Sequence, residues 1–268
     1  ESTSQRVNKS VSESMSEFDF TINYKDELPT IIADSRMPEE AKKNLKKLGN
    51  VLFINPTSVT YNSISSHPDI FFFQKDDALI YAPNAPKRIV KELKKRKIKL
   101  IEGKKEVGKK YPETVPYNAV GIGNLLIHNL NHTDETILSS YENHINVNQG
   151  YTRCNLLALN ENAFITSDVG IFNAVNSQQS TDNSLYPHES HVETSILYID
   201  PKQIKLEGQK NGFFPGCCGV WKNNLIVCGS TKNLKEKAEL DKFLKDNNFN
   251  LIELYDGDLI DVGSIFFN

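Results

Sequence analysis

The chain has 268 residues, 31 Lys and Arg against 34 Asp and Glu, a net charge of −3 and a mean hydropathy of −0.44. That balance argues against a strongly basic nucleic-acid binder. No apolar run approaches the roughly 20 residues of a membrane-spanning helix, so neither nucleic acid nor membrane is an expected partner.

Residues 1–27 are rich in Ser and poor in large aliphatics, which reads as a flexible tail. From residue 28 the pattern becomes regular. Thr30–Asp34 is a strand, and Pro38–Leu48 places Ala41, Leu45 and Leu48 on one helical face before the strand Val51–Ile54. Ile70–Phe73 and Ala78–Tyr81 form a hairpin about Gln74–Asp77. The helix Pro86–Lys97 and the strand Ile98–Ile101 follow. The same order returns with the hairpin Ala119–Ile122 and Leu125–Ile127, the helix Glu135–Asn143 and the strand Ile145–Val147. It returns again with Cys154–Leu159 and Ala163–Ser167, a weak helix after Asp168, a polar insertion about 176–193, and the strand Ile204–Leu206. The last full copy is Cys218–Trp221, Leu225–Gly229, the helix Asn233–Asn247 and the strand Leu251–Leu254. Val262–Phe267 is a strand with no partner of its own.

The closing strands of these units begin at residues 51, 98, 145, 204 and 251, a period of 47 interrupted once by a spacing of 59. Joining the unpaired Val262–Phe267 to the unpaired Thr30–Asp34 completes a fifth strand–strand–helix–strand unit and removes two open sheet edges. The expected fold is α/β: a pseudo-symmetric propeller of five ββαβ blades over residues 28–268, closed by the two ends of the chain in one blade.

Such a ring resembles the pentein fold of the guanidino-group-modifying enzymes. The segments His67-Pro-Asp69, Gly150-Tyr-Thr-Arg-Cys154, Ile165-Thr-Ser-Asp168, Pro215-Gly-Cys-Cys-Gly219 and Asp261-Val-Gly-Ser-Ile265 are similar to an uncharacterised bacterial branch of it. The resemblance implies a site at the mouth of a central channel, where the loops leading into the first strand of each blade converge. It implies a carboxylate in a Gly-Asp loop, here Gly257-Asp258, a His in a His-x-Asp motif, here His67-Pro68-Asp69, and a cysteine on the next blade. That blade begins at Pro116-Tyr-Asn118-Ala119 without a cysteine, so the thiol would come from Cys154, Cys217 or Cys218.

The candidate catalytic residues are therefore His67, Cys154, Cys217 and Cys218. Asp69, Asn118, Arg153, Asp258 and Asp261 are the candidate substrate-binding residues. A thiolate attacks a guanidinium carbon, a His moves the proton, and carboxylates hold the cation. Each also has a structural reading: His67 and Asp258 sit in turn sequences, a buried Cys is a small apolar side chain, and Asp168 fits a helix N-cap. The expectation is a cysteine-dependent hydrolase or transferase for a small guanidino or amino-acid-like ligand. The alternative is a non-catalytic ring that binds a ligand or protein partner.

No cofactor is expected. Gly121-Ile-Gly123 opens no helix, and His188-Glu189-Ser190-His191 lacks metalloprotease spacing. The lysines of Lys91–Lys99 read as a solvated helix face. The four cysteines lack a disulfide framework and read as reduced thiols, which favours the cytoplasm. The sequence opens at Glu1 without Met, so a removed signal peptide is the alternative.

Overall fold

A computed structural model of the chain describes residues 28–76, 78–181 and 194–268. The tail 1–27 and the His188–Glu193 run lie outside the described residues.

The chain opens on β1 (Thr30–Asp34), α1 (Glu39–Leu48) and β2 (Asn50–Ile54). In α1, Ala41, Leu45 and Leu48 are buried, with Glu39 and Glu40 in the first turn and Lys46 and Lys47 in the last. This distribution suits both the core-facing stripe and the helix dipole. The helix carries the chain back across the sheet, so β1 and β2 pair in parallel from Thr30↔Asn50 to Asp34↔Ile54. The second blade is α2 (Pro68–Phe71), β3 (Phe72–Lys75), β4 (Ala78–Tyr81), α3 (Lys87–Lys95) and β5 (Lys99–Glu102). The third is β6 (Val120–Ile122), β7 (Leu125–His128), α4 (Glu135–Leu138) and β8 (Asn143–Asn146). The fourth is α5 (Thr152–Asn155), β9 (Leu156–Asn160), β10 (Ala163–Thr166), α6 (Val169–Thr181) and β11 (Ser195–Tyr198). The fifth is β12 (Cys218–Trp221), β13 (Asn224–Val227), α7 (Lys237–Asp246) and β14 (Asn250–Glu253), before the short closing strand β15 (Phe266–Phe267).

Five three-stranded sheets result, each an antiparallel strand pair with a third strand added in parallel; in four of them the pair is a hairpin, and in the fifth the two ends of the chain supply it. The expected closure is present. β15 pairs antiparallel with β1 through Ile31↔Phe267 and Ile32↔Phe266, and Thr30 and Asn268 exchange backbone hydrogen bonds of 2.7 and 2.9 Å. The first strands meet around the centre. β3 touches β6, β6 touches β9, α5 packs on the turn Phe214–Cys217, and β12 touches β15. Gln74 Nε2 donates to Phe267 O at 2.7 Å, which joins β3 to β15 and completes the circuit.

Several details differ from the sequence reading: the helix expected over Glu135–Asn143 is the single turn Glu135–Leu138, and the strand expected over Val262–Phe267 narrows to Phe266–Phe267. The third strand of the fourth blade is β11, not Ile204–Leu206. Ile204 is buried in the core, and Lys205 makes only one isolated bridge, to Ile260. Ile204-Lys-Leu206 has the apolar–polar–apolar alternation of a strand and lies 47 residues before Leu251, but Ser195-Ile-Leu-Tyr198 beside the polar insertion supplies the strand. The helix of that blade runs on to Thr181, because Ile171 and Val175 continue one buried face. The expected first strands begin late: residues 68–71 and 152–155 are single helical turns.

Candidate functional site

The segments that lead into the first strands bring their polar side chains to the centre of the ring. Asp69, Asn118, Cys217, Cys218 and Ser264 are 0% exposed, His67 1%, Asp261 3%, Cys154 4% and Arg153 9%. Local sequence explains the delivery. His67 caps the single turn α2 and Pro68 opens it, a position where proline's missing N–H costs nothing. Asp69 then faces inward before the chain straightens into β3. In the same way α5 presents Arg153 and Cys154 ahead of β9.

Asp69 and Cys154 form the heart of the cluster. Cys154 Sγ donates to Asp69 Oδ2 at 3.1 Å, and Ser264 Oγ donates to the same oxygen at 2.9 Å. Asn118 ties the two together. Its Nδ2 donates to Asp69 O at 3.3 Å and to Cys154 Sγ at 3.4 Å, and its Oδ1 accepts from Arg153 N at 2.8 Å and Cys154 N at 3.3 Å. Asp69 Oδ1 is buried with no partner among the described residues, and so is His67 Nδ1. Buried polar atoms without a partner are costly and rare.

Asp261 and His67 adjoin this cluster through Gly263. Asp261 accepts from Gly263 N and from Phe213 N, each at 3.0 Å. Gly263 O in turn accepts from Asp69 N at 3.2 Å. Gly263 has φ +64°, and a Cβ there would lie 2.1 Å from His67 Cβ, so only glycine fits against the imidazole. A Cβ on Gly216 would lie 2.2 Å from Asp261 Oδ1, which explains the glycine before the paired cysteines. Burial raises the Asp261 pKa to about 6, against the opposing effect of His67. His67 Nε2 lies 3.8 Å from Asp34 Oδ2 on its other side.

Arg153 brings a guanidinium into the same space. Its two terminal nitrogens donate to Pro215 O at 3.3 Å and Cys218 O at 3.5 Å, with Phe266 5.7 Å beneath. Burial lowers its pKa, and Asp69 acts in the opposite direction. All four cysteines are free and buried. Burial holds the Cys154 thiol well above its ordinary range, and the charges of Asp69 and Asp261 push the same way. Burial also raises Cys217 and Cys218, while Arg153 alone favours the Cys218 thiolate. Their thiols rest on Phe213 O and Phe214 O.

A strap, residues 57–65, leads into His67 and meets Tyr151, two residues before Arg153. Thr57 N and Oγ1 both donate to Ser65 O, closing the strap at its base. It is pinned from three blades. Arg36, itself paired with Asp34 at 2.8 Å, donates to Asn62 O at 2.7 Å and Ser63 O at 3.0 Å. Gln209 Nε2 donates to Ser63 Oγ at 2.8 Å, and the Tyr61 and Tyr151 hydroxyls share a hydrogen bond of 2.9 Å. Burial raises the Tyr61 pKa, and the charges of Cys154, Asp261 and Asp69 add to the effect.

Eight of the nine sequence candidates therefore converge. Asp258 does not: it is exposed and ion-paired with Lys205 on the surface. The Asp256-Gly257-Asp258 turn performs its ordinary chain-reversing role there. Ser264, Asp34 and Tyr61 were not singled out from the sequence. Ser264 lay inside the quoted Asp261–Ile265 motif, whereas nothing local distinguishes Asp34 or Tyr61. Asp168 is the helix cap its alternative reading described, accepting from Ile171 N at 2.8 Å.

Several solved structures are similar to this ring. One described as a candidate peptidyl-arginine deiminase matches with a TM-score of 0.51 and 13% identity, over 91% of this chain and 96% of that one. An amidinotransferase of the saxitoxin pathway from Microseira wollei matches at 0.49 and 15%, over 85% of this chain and 88% of that one. The inosamine-phosphate amidinotransferase of Streptomyces griseus matches at 0.49 and 10%, over 88% and 94%. No curated protein sequence matches the chain. The five closed blades and the likeness to the deiminase ring, at a TM-score of 0.51, identify the fold as the pentein propeller. Residues 32–266 match one family along nearly their whole length, and the chain belongs to that family of unknown function, DUF6873.

Proposed function

We propose that this protein is a cysteine-dependent hydrolase or transferase acting on a small guanidino or amino-acid-like compound at the centre of the ring. One observation carries the reading: Cys154 Sγ lies 3.1 Å from one oxygen of Asp69, and the other oxygen is buried without a partner. A buried carboxylate oxygen lacking a donor suits the N–H groups of a cation, and a thiol stands beside it. The reading extends to this chain the arginine chemistry named for the similar ring.

In this scheme Asp69 binds the cationic group and orients it over Cys154. The arriving positive charge lowers the thiol pKa, and the thiol proton passes to Asp69. Sγ then bonds to the guanidinium carbon, and the C–N bond to the departing amine breaks as that amine takes a proton. Water, or the amine of a second substrate, adds to the same carbon, the C–S bond breaks, and the thiol is restored. Asp261 and His67, which meet the cluster through Gly263, are a carboxyl and an imidazole suited to proton transfer.

A second reading is a non-catalytic ring that binds the same class of ligand. The raised Cys154 thiol favours it, since a nucleophile acts as thiolate. The test is release of ammonia, urea or amine from a panel of guanidino compounds. Turnover that disappears in Cys154→Ser supports the enzyme. Saturable binding without turnover supports the second reading, and neither binding nor turnover across the panel removes both.

A further inference from the structure

Residues 36–110 carry 18 of the chain's 31 Lys and Arg and 8 of its 34 Asp and Glu. That stretch has a charge of +10 within a chain of −3, so the remaining residues carry −13. The fold gathers ten of these cations on one part of the rim. Lys43, Lys46 and Lys47 on α1 are exposed, as are all the Lys and Arg of α3 and the Arg96 and Lys97 that follow it. The two helices flank β2. Both touch it, Lys46 Nζ lies 5.7 Å over the Phe53 ring, and Arg88 donates to Phe53 O at 2.6 Å.

These charges are largely uncompensated. Among the described residues the ion pairs of α1 and α3 are Lys42–Glu39 and Lys95–Glu92, each within its own helix. On α7 the lysines behave differently: Lys237 and Lys242 are matched one turn on by Asp241 and Asp246. Glu92 reports the crowding, since Lys95, then Arg96 and Lys91, hold its carboxyl below the ordinary range. A solvated face explains cations interleaved with acids, as on α7. It does not explain two neighbouring helices that are each net positive, α1 with four lysines against two acids and α3 with five cations against one, in an acidic chain where self-repulsion opposes the arrangement.

The composition of the face selects the partner. Among the described residues the exposed large apolar side chains are Leu28, Tyr61, Tyr111 and Val169, none of them on α1 or α3. Neither helix therefore offers an exposed ring for base stacking or an aliphatic wedge for insertion into a bilayer. Its cations are mostly Lys, compact point charges without the bidentate fork that Arg offers to bases and phosphates. Both helices pack along the sheets, so neither offers a free end to a nucleic-acid groove. What such a face reads is surface charge density. We propose that this rim docks on the anionic phospholipid headgroups of a bilayer by charge alone, with the acidic remainder of the ring turned away.

The test is co-sedimentation of the full chain with equimolar phosphatidylcholine–phosphatidylglycerol vesicles, with phosphatidylcholine vesicles and a DNA duplex as further arms. Binding to the anionic vesicles only, weakening as salt rises, is the expected result. The variant Lys87→Gln, Lys91→Gln, Lys94→Gln should weaken it about 100-fold, from roughly fivefold per lysine. A control with Lys235→Gln, Lys237→Gln, Lys242→Gln removes as many charges from the α7 side and should bind like the parent. Absence of vesicle binding, equal loss in both variants, or tighter binding to the duplex than to the vesicles overturns the proposal.

Discussion

Reagents should reach Cys154 only when the strap opens, and that can be measured. Besides its pairing with Asp34, Arg36→Gln removes two charge-assisted hydrogen bonds, at 2.7 and 3.0 Å, that hold the carbonyls of Asn62 and Ser63. The Arg36 side chain is 26% exposed, so each bond belongs at the low end of its class, about 1.5 kcal/mol. Together they contribute about 3 kcal/mol, and opening of the strap becomes roughly 100-fold more frequent. Tyr61→Phe removes the single hydroxyl bond to Tyr151 and should raise opening roughly fivefold, for about 1 kcal/mol. Iodoacetamide labelling followed by peptide mass mapping reads both variants. Cys228, wholly buried at the end of β13, reports global unfolding in the same sample. The expected result is a rising ratio of Cys154 to Cys228 labelling, larger for Arg36→Gln. If both variants leave that ratio at the parent value, the strap does not gate the site.

Asp69→Asn removes the charge beside Cys154 and should lower the apparent pKa of its labelling. A value unchanged or raised would contradict the pairing. Asp261 has a raised folded pKa, about 6 against 3.8, so it binds its proton more tightly in the folded chain. Its contribution to stability is therefore present at acid pH and is lost as pH rises from about 4 to about 6, by about 3 kcal/mol. Urea unfolding at both ends of this window should show that loss in the parent and its absence in Asp261→Asn; parallel curves would refute it. A chain ending at Asp261 loses the buried Val262, Ile265, Phe266 and Phe267. At about 1.5–3 kcal/mol each this is comparable to the whole stability of a domain. No cooperative thermal transition should survive, and a truncated chain that melts cooperatively would show that β15 is dispensable.

The five-blade plan was legible because two periodicities alternate along the chain. Helix α1 announces itself by Ala41, Leu45 and Leu48, and the β12–β13 hairpin by β-rich runs about a polar turn. Where the signal was short it misled. The turns α2 and α5 are too brief to show a period and were absorbed into their strands. Ile204–Leu206 sat at the expected spacing and displaced Ser195–Tyr198, since hydrophobic alternation does not say whether a triplet pairs or only packs. For the candidate site, position in the repeat was the informative quantity. His67, Asn118, Arg153, Cys154 and Asp261 precede first strands and converge for that reason. Asp258 was drawn in by a dipeptide alone and lies outside, paired with Lys205. The placing of the strap follows from contacts between distant blades, Arg36 with Asn62 and Tyr61 with Tyr151, which no local pattern encodes.

The most direct test of the proposed chemistry is the mass of the protein quenched in acid during reaction with a guanidino substrate. The account predicts a transient adduct that maps to Cys154, disappears as substrate is consumed, and is absent in Cys154→Ser. Turnover without any adduct, or an adduct carried by Cys217, Cys218 or Cys228 instead, would contradict it.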